Sequence, residues 1–83
     1  MDKASIVKNL ISDTIISNGY RLDDVLYIKE GNSYFLRVII DKDGIIDIDD
    51  CSLVTRLINP ILDEADPIEE SYILDVCSKG KED

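Results

Sequence analysis

Aspartates are the residues with the most obvious chemical potential in this sequence, and five of them lie in one stretch of ten residues. Aligning Gly44 with the loop glycine of an EF-hand places Asp41 and Asp43 at calcium-ligand positions and Asp50 at the last one. The same alignment puts Ile39 at the first ligand position, after a predicted strand rather than a helix. Turn formation and helix capping explain these aspartates more simply. We therefore predict no metal site and keep a divalent-ion-binding regulatory module as an alternative.

Catalytic chemistry has little support. Asp49 and Asp50 are adjacent, so on a helix their carboxylates point in different directions. Cys51 and Cys77 lack a neighbouring base, because the chain contains no histidine, and a thiol nucleophile normally needs one. Both cysteines lie among apolar residues without a CxxC partner, which indicates buried thiols in a reducing compartment. The sequence predicts no enzymatic activity, no catalytic residue and no cofactor.

The negative charge is concentrated in one half of the chain. Of 83 residues, 18 are acidic and 9 are basic, for a net charge of -9. Residues 41–70 hold ten of the acids against two bases, a net of -8, which leaves only -1 for the rest. Binding to a phosphate backbone needs clustered Lys and Arg, so it is disfavoured. A basic protein partner suits this charge better, with a merely solubilising acidic face as the alternative.

Apolar periodicity indicates the elements that must position these acids. Apolar residues at steps of three and four predict a first helix that starts near residues 2–5 and ends at Asn18-Gly19. Strands are predicted at residues 20–29 and 34–40, joined by a short hairpin loop at 30–33. Which residues of the first strand point inward stays undecided, because neither set of alternate residues is clearly polar. On the second, Leu36, Val38 and Ile40 should point inward.

The second helix carries most of the acidic half. Its predicted N-cap is Asp49, with Asp50 favoured in the first turn by the helix dipole. Asn59-Pro60 should interrupt or kink it, and a terminating loop is predicted at residues 63–67. A third strand at residues 71–77 follows, in which Asp75 can pair with Arg37 if the strands are neighbours.

These elements predict one small α+β domain in two layers. Two helices cover one face of a three-stranded sheet, in the order helix, strand, strand, helix, strand. The order is also that of KH-type RNA-binding domains, but the glycines never fall at the GxxG spacing that clamps nucleotides. Direct rRNA binding through an open sheet face around Arg37 and Lys29 is kept as an alternative.

Many short stretches together resemble the N-terminal domain of the bacterial ribosome maturation factor RimP. The similarity runs from about Ile6 to Val76. It is carried by Gly19-Tyr20, Val25 to Glu30 with Gly31, Leu36-Arg37-Val38, Ile40-Asp41-Lys42, Gly44-Ile45, Asp49-Asp50-Cys51, Val54-Thr55-Arg56, Leu62-Asp63, Asp66-Pro67-Ile68 and Tyr72 to Val76. The resemblance implies residues 1–78 as the N-terminal α+β domain and residues 79–83 as a charged tail. Cys77-Ser78-Lys79-Gly80 stands where the family usually has Ser-Ser-Pro-Gly, and the family's following β-barrel domain is expected to be absent.

The resemblance also implies a function. Members of the family are cytoplasmic, non-enzymatic assembly factors that bind the immature small (30S) ribosomal subunit and a small-subunit ribosomal protein. We expect this chain to act as a monomer in the cytoplasm on such a basic protein, with rRNA contact only in the context of the subunit and without a membrane. The predicted partner-binding residues are matched charged positions of the family: Asp49, Asp50, Arg56, Asp63 and Asp66.

Overall fold

The structure is a computed structural model that describes residues 2–79. Its elements are α1 (Lys3–Ser17), β1 (Arg21–Glu30), β2 (Ser33–Asp41), α2 (Ile48–Ala65) and β3 (Ile73–Ser78). The predicted element order and the α+β class are confirmed, and the strand bounds differ from the predicted ones by one or two residues. Most of the predicted charged tail, residues 80–83, lies outside the described residues.

The sheet is mixed, with β2 in the middle of the order β1-β2-β3. A tight turn makes β1 and β2 antiparallel, and Gly31 supplies its left-handed residue at φ 61°, which costs a glycine little. The third strand lies on the other side of β2 and parallel to it. Since parallel neighbours need a crossover, α2 forms the connection between β2 and β3.

The core lies between the sheet and the two helices. The predicted inward face of β2 is confirmed, because Leu36, Val38 and Ile40 are fully buried. They share one apolar cluster with residues that recur at helical spacing on α1 (Val7, Ile11, Ile15) and on α2 (Val54, Ile58, Leu62). From β1, Val25 and Tyr27 join this cluster. The inward face of β1, which the sequence left undecided, is therefore the one that carries these two residues.

The opposite face of the sheet is also largely apolar. Leu26 lies beside Arg37 and Ile28 beside Phe35, on the side away from the core cluster. In the middle of this face Arg37 Nε donates to Asp75 Oδ2 at 3.1 Å, so the predicted pairing is confirmed. Apolar residues on both faces explain why the parity of β1 could not be read from its sequence.

The second helix is longer than predicted. It runs through Pro60 to Ala65, and the loop expected from Asp63 starts only at Asp66. Pro60 is exposed, so the carbonyl that loses its intrahelical donor lies on the solvent side of the helix and water can satisfy it. The predicted interruption is therefore not a break in the helix.

Candidate partner-binding surface on the second helix

The N-terminal end of α2 is closed by a reciprocal pair of aspartates. Asp47 is the N-cap, and its Oδ1 accepts from the backbone N–H of Asp50 at 3.1 Å. Asp50 Oδ2 in turn accepts from the backbone N–H of Asp47 at 3.0 Å, which completes a capping box. The prediction of Asp49 as N-cap was wrong, because the helix begins at Ile48. The spacing of 47 and 50 is that of a capping box, and this signal could have identified the cap.

The remaining oxygen of Asp50 is held inside the protein. Tyr20 donates its hydroxyl to Asp50 Oδ1 at 2.6 Å, and Lys42 Nζ lies 3.2 Å from the same oxygen. These contacts, the tyrosine first, lower the pKa of Asp50 to about 2. The same hydrogen bond, together with burial, raises the pKa of Tyr20 to about 12. Only 15% of the Asp50 side chain is exposed, so this carboxylate is turned largely into the fold.

The aspartates of the calcium alternative are neutralised by an arginine. Arg21 reaches Asp41 Oδ2 at 3.1 Å and Asp43 Oδ1 at 3.0 Å, and Asp50 faces Tyr20 and Lys42. Within residues 2–79, no group of three or more potential ligands is arranged to hold a metal ion. The alternative therefore has no geometry to support it.

The rRNA alternative loses its geometric basis as well. Lys29 pairs with Tyr34 in the sheet and Arg37 with Leu26. Because Tyr34 has the parity of buried Leu36, Lys29 lies on the helix side of the sheet, whereas Arg37 lies on the open side. The two cations are thus on opposite faces, and Arg37 is paired with Asp75.

The outer face of α2 holds three of the predicted partner-binding residues in line. Asp49, Arg56 and Asp63 are exposed and seven residues apart, a spacing that keeps side chains on one stripe of a helix. The stripe is about 21 Å long at the usual helical rise. Asp49 and Asp63 thus mark opposite ends of the helix, with Arg56 between them.

The C-terminal end of α2 holds an acidic patch, here defined as Asp63, Glu64, Asp66 and Glu69. All four are exposed, and within residues 2–79 none of their carboxylates has an ion-pair or hydrogen-bond partner. The last turn contains no basic residue. Acids at this end add to the negative pole of the helix dipole, which is unfavourable. Two members, Glu64 and Glu69, were not among the predicted residues, although the charge count over residues 41–70 includes them.

The patch borders an open cleft of about 530 Å³ between α2 and the start of β3. Asp63, Asp66 and Glu69 line it together with Tyr72 and Leu74. Burial, and then the charges of Asp63 and Asp66, raise the pKa of Tyr72, so the phenol stays neutral beside them. The next acid, Glu70, belongs to the fold instead, because Lys3 lies 2.9 Å from it and Tyr27 donates to it at 3.1 Å.

Of the predicted partner-binding residues, the structure brings Asp63 and Asp66 together at one cleft. It places Asp49 and Arg56 further along the same helix and turns Asp50 inward. No helix in residues 2–79 has the length and apolar character needed to cross a membrane. The family model of the RimP N-terminal domain matches residues 10–82, most of the chain.

Proposed function

We propose, because this chain belongs to the RimP N-terminal domain family of ribosome maturation factors, that it serves the assembly of the small (30S) ribosomal subunit. In this proposal it is a monomeric, cytoplasmic and non-enzymatic binding domain. Its acidic patch contacts a basic ribosomal protein of the immature subunit, and rRNA is met only within that subunit.

The observation that carries the proposal is the unneutralised acidic patch. Four carboxylates remain exposed at the negative pole of α2, whereas Asp41, Asp50 and Glu70 each have a cationic partner. Charges that are unfavourable in the isolated domain become favourable when a cationic surface covers them. Such complementarity acts mainly on the association rate and on partner choice.

The acids that are paired within the fold give no support to a catalytic role. The pKa of Asp41, Asp50 and Glu70 is lowered in each case by hydrogen bonds and cationic neighbours. A general acid or base at neutral pH needs a pKa raised toward 7 instead.

Salt-dependent retention on immature small subunits tests the proposal. We expect binding of the chain to weaken as salt rises, and the double variant Asp63→Lys/Asp66→Lys to lose it at low salt. The matched control is Asp13→Lys/Glu30→Lys, which changes the net charge equally on exposed residues outside the patch and should bind like the wild type. Salt-insensitive binding, or equal losses in both double variants, would refute a role for the acidic patch.

A further inference from the structure

The two edges of the sheet differ in how they are protected. The β1 edge carries Asp24 and also Asp23, which pairs with Lys79 just after β3, and it has a register shift between Leu22 and Asp24. Bulges and charges of this kind keep an edge strand from pairing with another chain. The β3 edge has no proline, and its one charged residue, Asp75, is paired with Arg37. Of the described strands, β3 pairs only with β2. Alternate residues of β3 therefore direct their N–H and C=O groups away from the sheet.

Two separate clefts lie between β3 and α2, one toward each end of β3, and the pair is called the groove below. The end at Tyr72 is the acidic cleft described above. The other end is a cleft of about 310 Å³, lined by Ile46, Ile48, Cys51 and Val76 together with Asp47, Cys77 and Ser78. Ile48 is 80% exposed and the neighbouring Ile45 is 87% exposed. Large apolar side chains held in water beside an open strand edge are a common mark of a binding surface.

We propose that the β3 edge takes up an extended, basic segment of a partner protein as a fourth strand of the sheet. A Lys or Arg of the segment enters the acidic cleft, and an apolar side chain about four residues away enters the apolar cleft. This rests on the proposed function and names the mode in which the basic partner binds. Main-chain hydrogen bonds supply affinity, and the two clefts select the side chains.

The dimensions fit such a segment. Six residues of β3 span about 20 Å, and the clefts are lined by Tyr72 and Leu74 at its start and by Val76, Cys77 and Ser78 at its end. Side chains at alternate positions of an added strand face the same side, so positions i and i+4 are about 13 Å apart and both point into the groove. A basic residue at one end of the segment can thus occupy one cleft while an apolar residue occupies the other.

The charge of the groove selects this occupant over two others. A second copy of the chain carries the same net charge of -9 and would bring another acidic patch to the edge. The phosphates of RNA would meet the carboxylates of Asp63, Asp66 and Glu69 and be repelled. A segment rich in Lys and Arg neutralises these carboxylates and leaves its backbone available to pair with β3.

Amide hydrogen exchange of the 83-residue chain with synthetic peptides tests this mode. One peptide has two lysines that alternate with threonines, followed by two valines that alternate with threonines. A second has the reverse order, so that strand direction is also measured. We expect one of them to protect alternate amides of residues 73–78. Two further versions carry N-methyl groups either on the threonine amides or on the lysine and valine amides; only the version that lacks the donors facing β3 should fail to protect them.

Variants at the acidic cleft test whether a basic side chain of the peptide enters it. We expect Asp63→Asn/Asp66→Asn to weaken peptide binding about fivefold at low salt, the size of two exposed ion pairs. The control Asp13→Asn/Glu30→Gln should bind like the wild type. Protection of β3 that is equal in both double variants would overturn the assignment of the basic residue to this cleft.

Four results would overturn the strand mode while leaving the subunit-binding test intact. The first is a peptide-induced change confined to residues 63–69, and the second is no protection of β3 by either peptide at millimolar concentration. The third is protection of β3 by polyuridylate RNA in place of the peptides. The fourth is protection that rises with protein concentration alone, which would assign the edge to a second copy. Loss of salt-dependent subunit binding, by contrast, would overturn the proposed function itself.

Discussion

The carboxylates at the two ends of α2 have opposite surroundings. At the N-terminal end, Asp47 and Asp50 cap the helix, and Asp50 also binds Tyr20 and Lys42. At the C-terminal end, Asp63, Glu64 and Asp66 have no cationic partner within residues 2–79. The helix dipole favours acids at the first end and opposes them at the second.

This contrast separates acids that have partners within the fold from acids that are left exposed. Counting charge along the chain does not distinguish the two groups, since both lie in the acidic half. The distinction depends on the partners each carboxylate meets in space. It predicts that substitutions at the N-terminal end lower stability, whereas substitutions at the C-terminal end change binding.

The comparison requires α2 to be fixed to the core along its length. Ile58 lies between the two ends and is fully buried. We expect Ile58→Ala to lower the free energy of unfolding by about 3 kcal/mol, because it leaves a cavity in the core. The control Leu53→Ala, at a residue 38% exposed on the same helix, should change it by less than about 0.5 kcal/mol. Urea unfolding measures both, and equal losses would mean that α2 is not anchored through this stripe.

The N-terminal end should respond to loss of its cap. Asp47→Ala removes the acceptor for the backbone N–H of Asp50 and should lower the free energy of unfolding by about 1 kcal/mol. Asp49→Ala removes an exposed acid that only interacts with the dipole, and should cost about 0.3 kcal/mol. Thermal or urea unfolding distinguishes the two. A larger loss for Asp49 than for Asp47 would contradict the observed cap.

Low pH should destabilise the N-terminal end of α2 in particular. The pKa of Asp50 falls from an ordinary 3.8 to about 2 in the folded chain. The stability it contributes is therefore fully present above about pH 4 and is lost as pH falls toward 2. Tyr20→Phe removes the first cause of this lowering, so we expect a shallower acid loss in that variant, measured by urea unfolding over a pH series. An unchanged acid slope would show that Tyr20 does not hold this carboxylate.

High pH should break the same hydrogen bond by ionising its donor, the Tyr20 hydroxyl. The pKa of Tyr20 rises from 10.0 to about 12 on folding. Its contribution to stability is present below pH 10 and is lost as pH rises toward 12. At neutral pH, Tyr20→Phe should cost about 1 kcal/mol, the usual size of one hydrogen bond. Between pH 10 and 12 the Tyr20→Phe variant should lose less stability than the wild type, which urea unfolding over a pH series measures.

The C-terminal end should show the smallest effect on stability, with the opposite sign. Asp63→Lys replaces an acid that opposes the helix dipole by a base that favours it, and should raise the free energy of unfolding by about 0.5 kcal/mol. The same substitution should weaken salt-dependent binding to immature subunits. Asp49→Lys, at the other end of the exposed stripe, should lower stability. A loss of stability in Asp63→Lys would show that Asp63 serves the fold.

Much of the fold could be predicted because its elements have strong local signals. Apolar spacing defined α1, and Gly19, at φ 91°, ended it as expected. The N-cap of α2 was missed because Asp49 is also a suitable cap residue, although the capping-box spacing of Asp47 and Asp50 favours Asp47. The C-terminal bound was missed because acidic residues after a proline are typical of a loop, although the helix continues to Ala65.

The sequence predicted that the candidate site is acidic, but not which acids belong to it. Asp63 and Asp66 lie at one cleft as candidates, while Asp50 is held by Tyr20, 30 residues away. Glu69 joins the patch because the chain turns after α2. The contribution of the predicted residues to partner binding stays a prediction that the charge variants test.

The sequence by itself determined the helices and strands, their order and the excess of acid, since each depends on residue types close together in the chain. Only the tertiary structure decided which acids are neutralised. Arg21 meets Asp41 and Lys3 meets Glu70 across 20 and 67 residues, and an ion pair of this kind exists only when folding brings the two groups to about 3 Å. The carboxylates of the acidic patch have no such contact within residues 2–79.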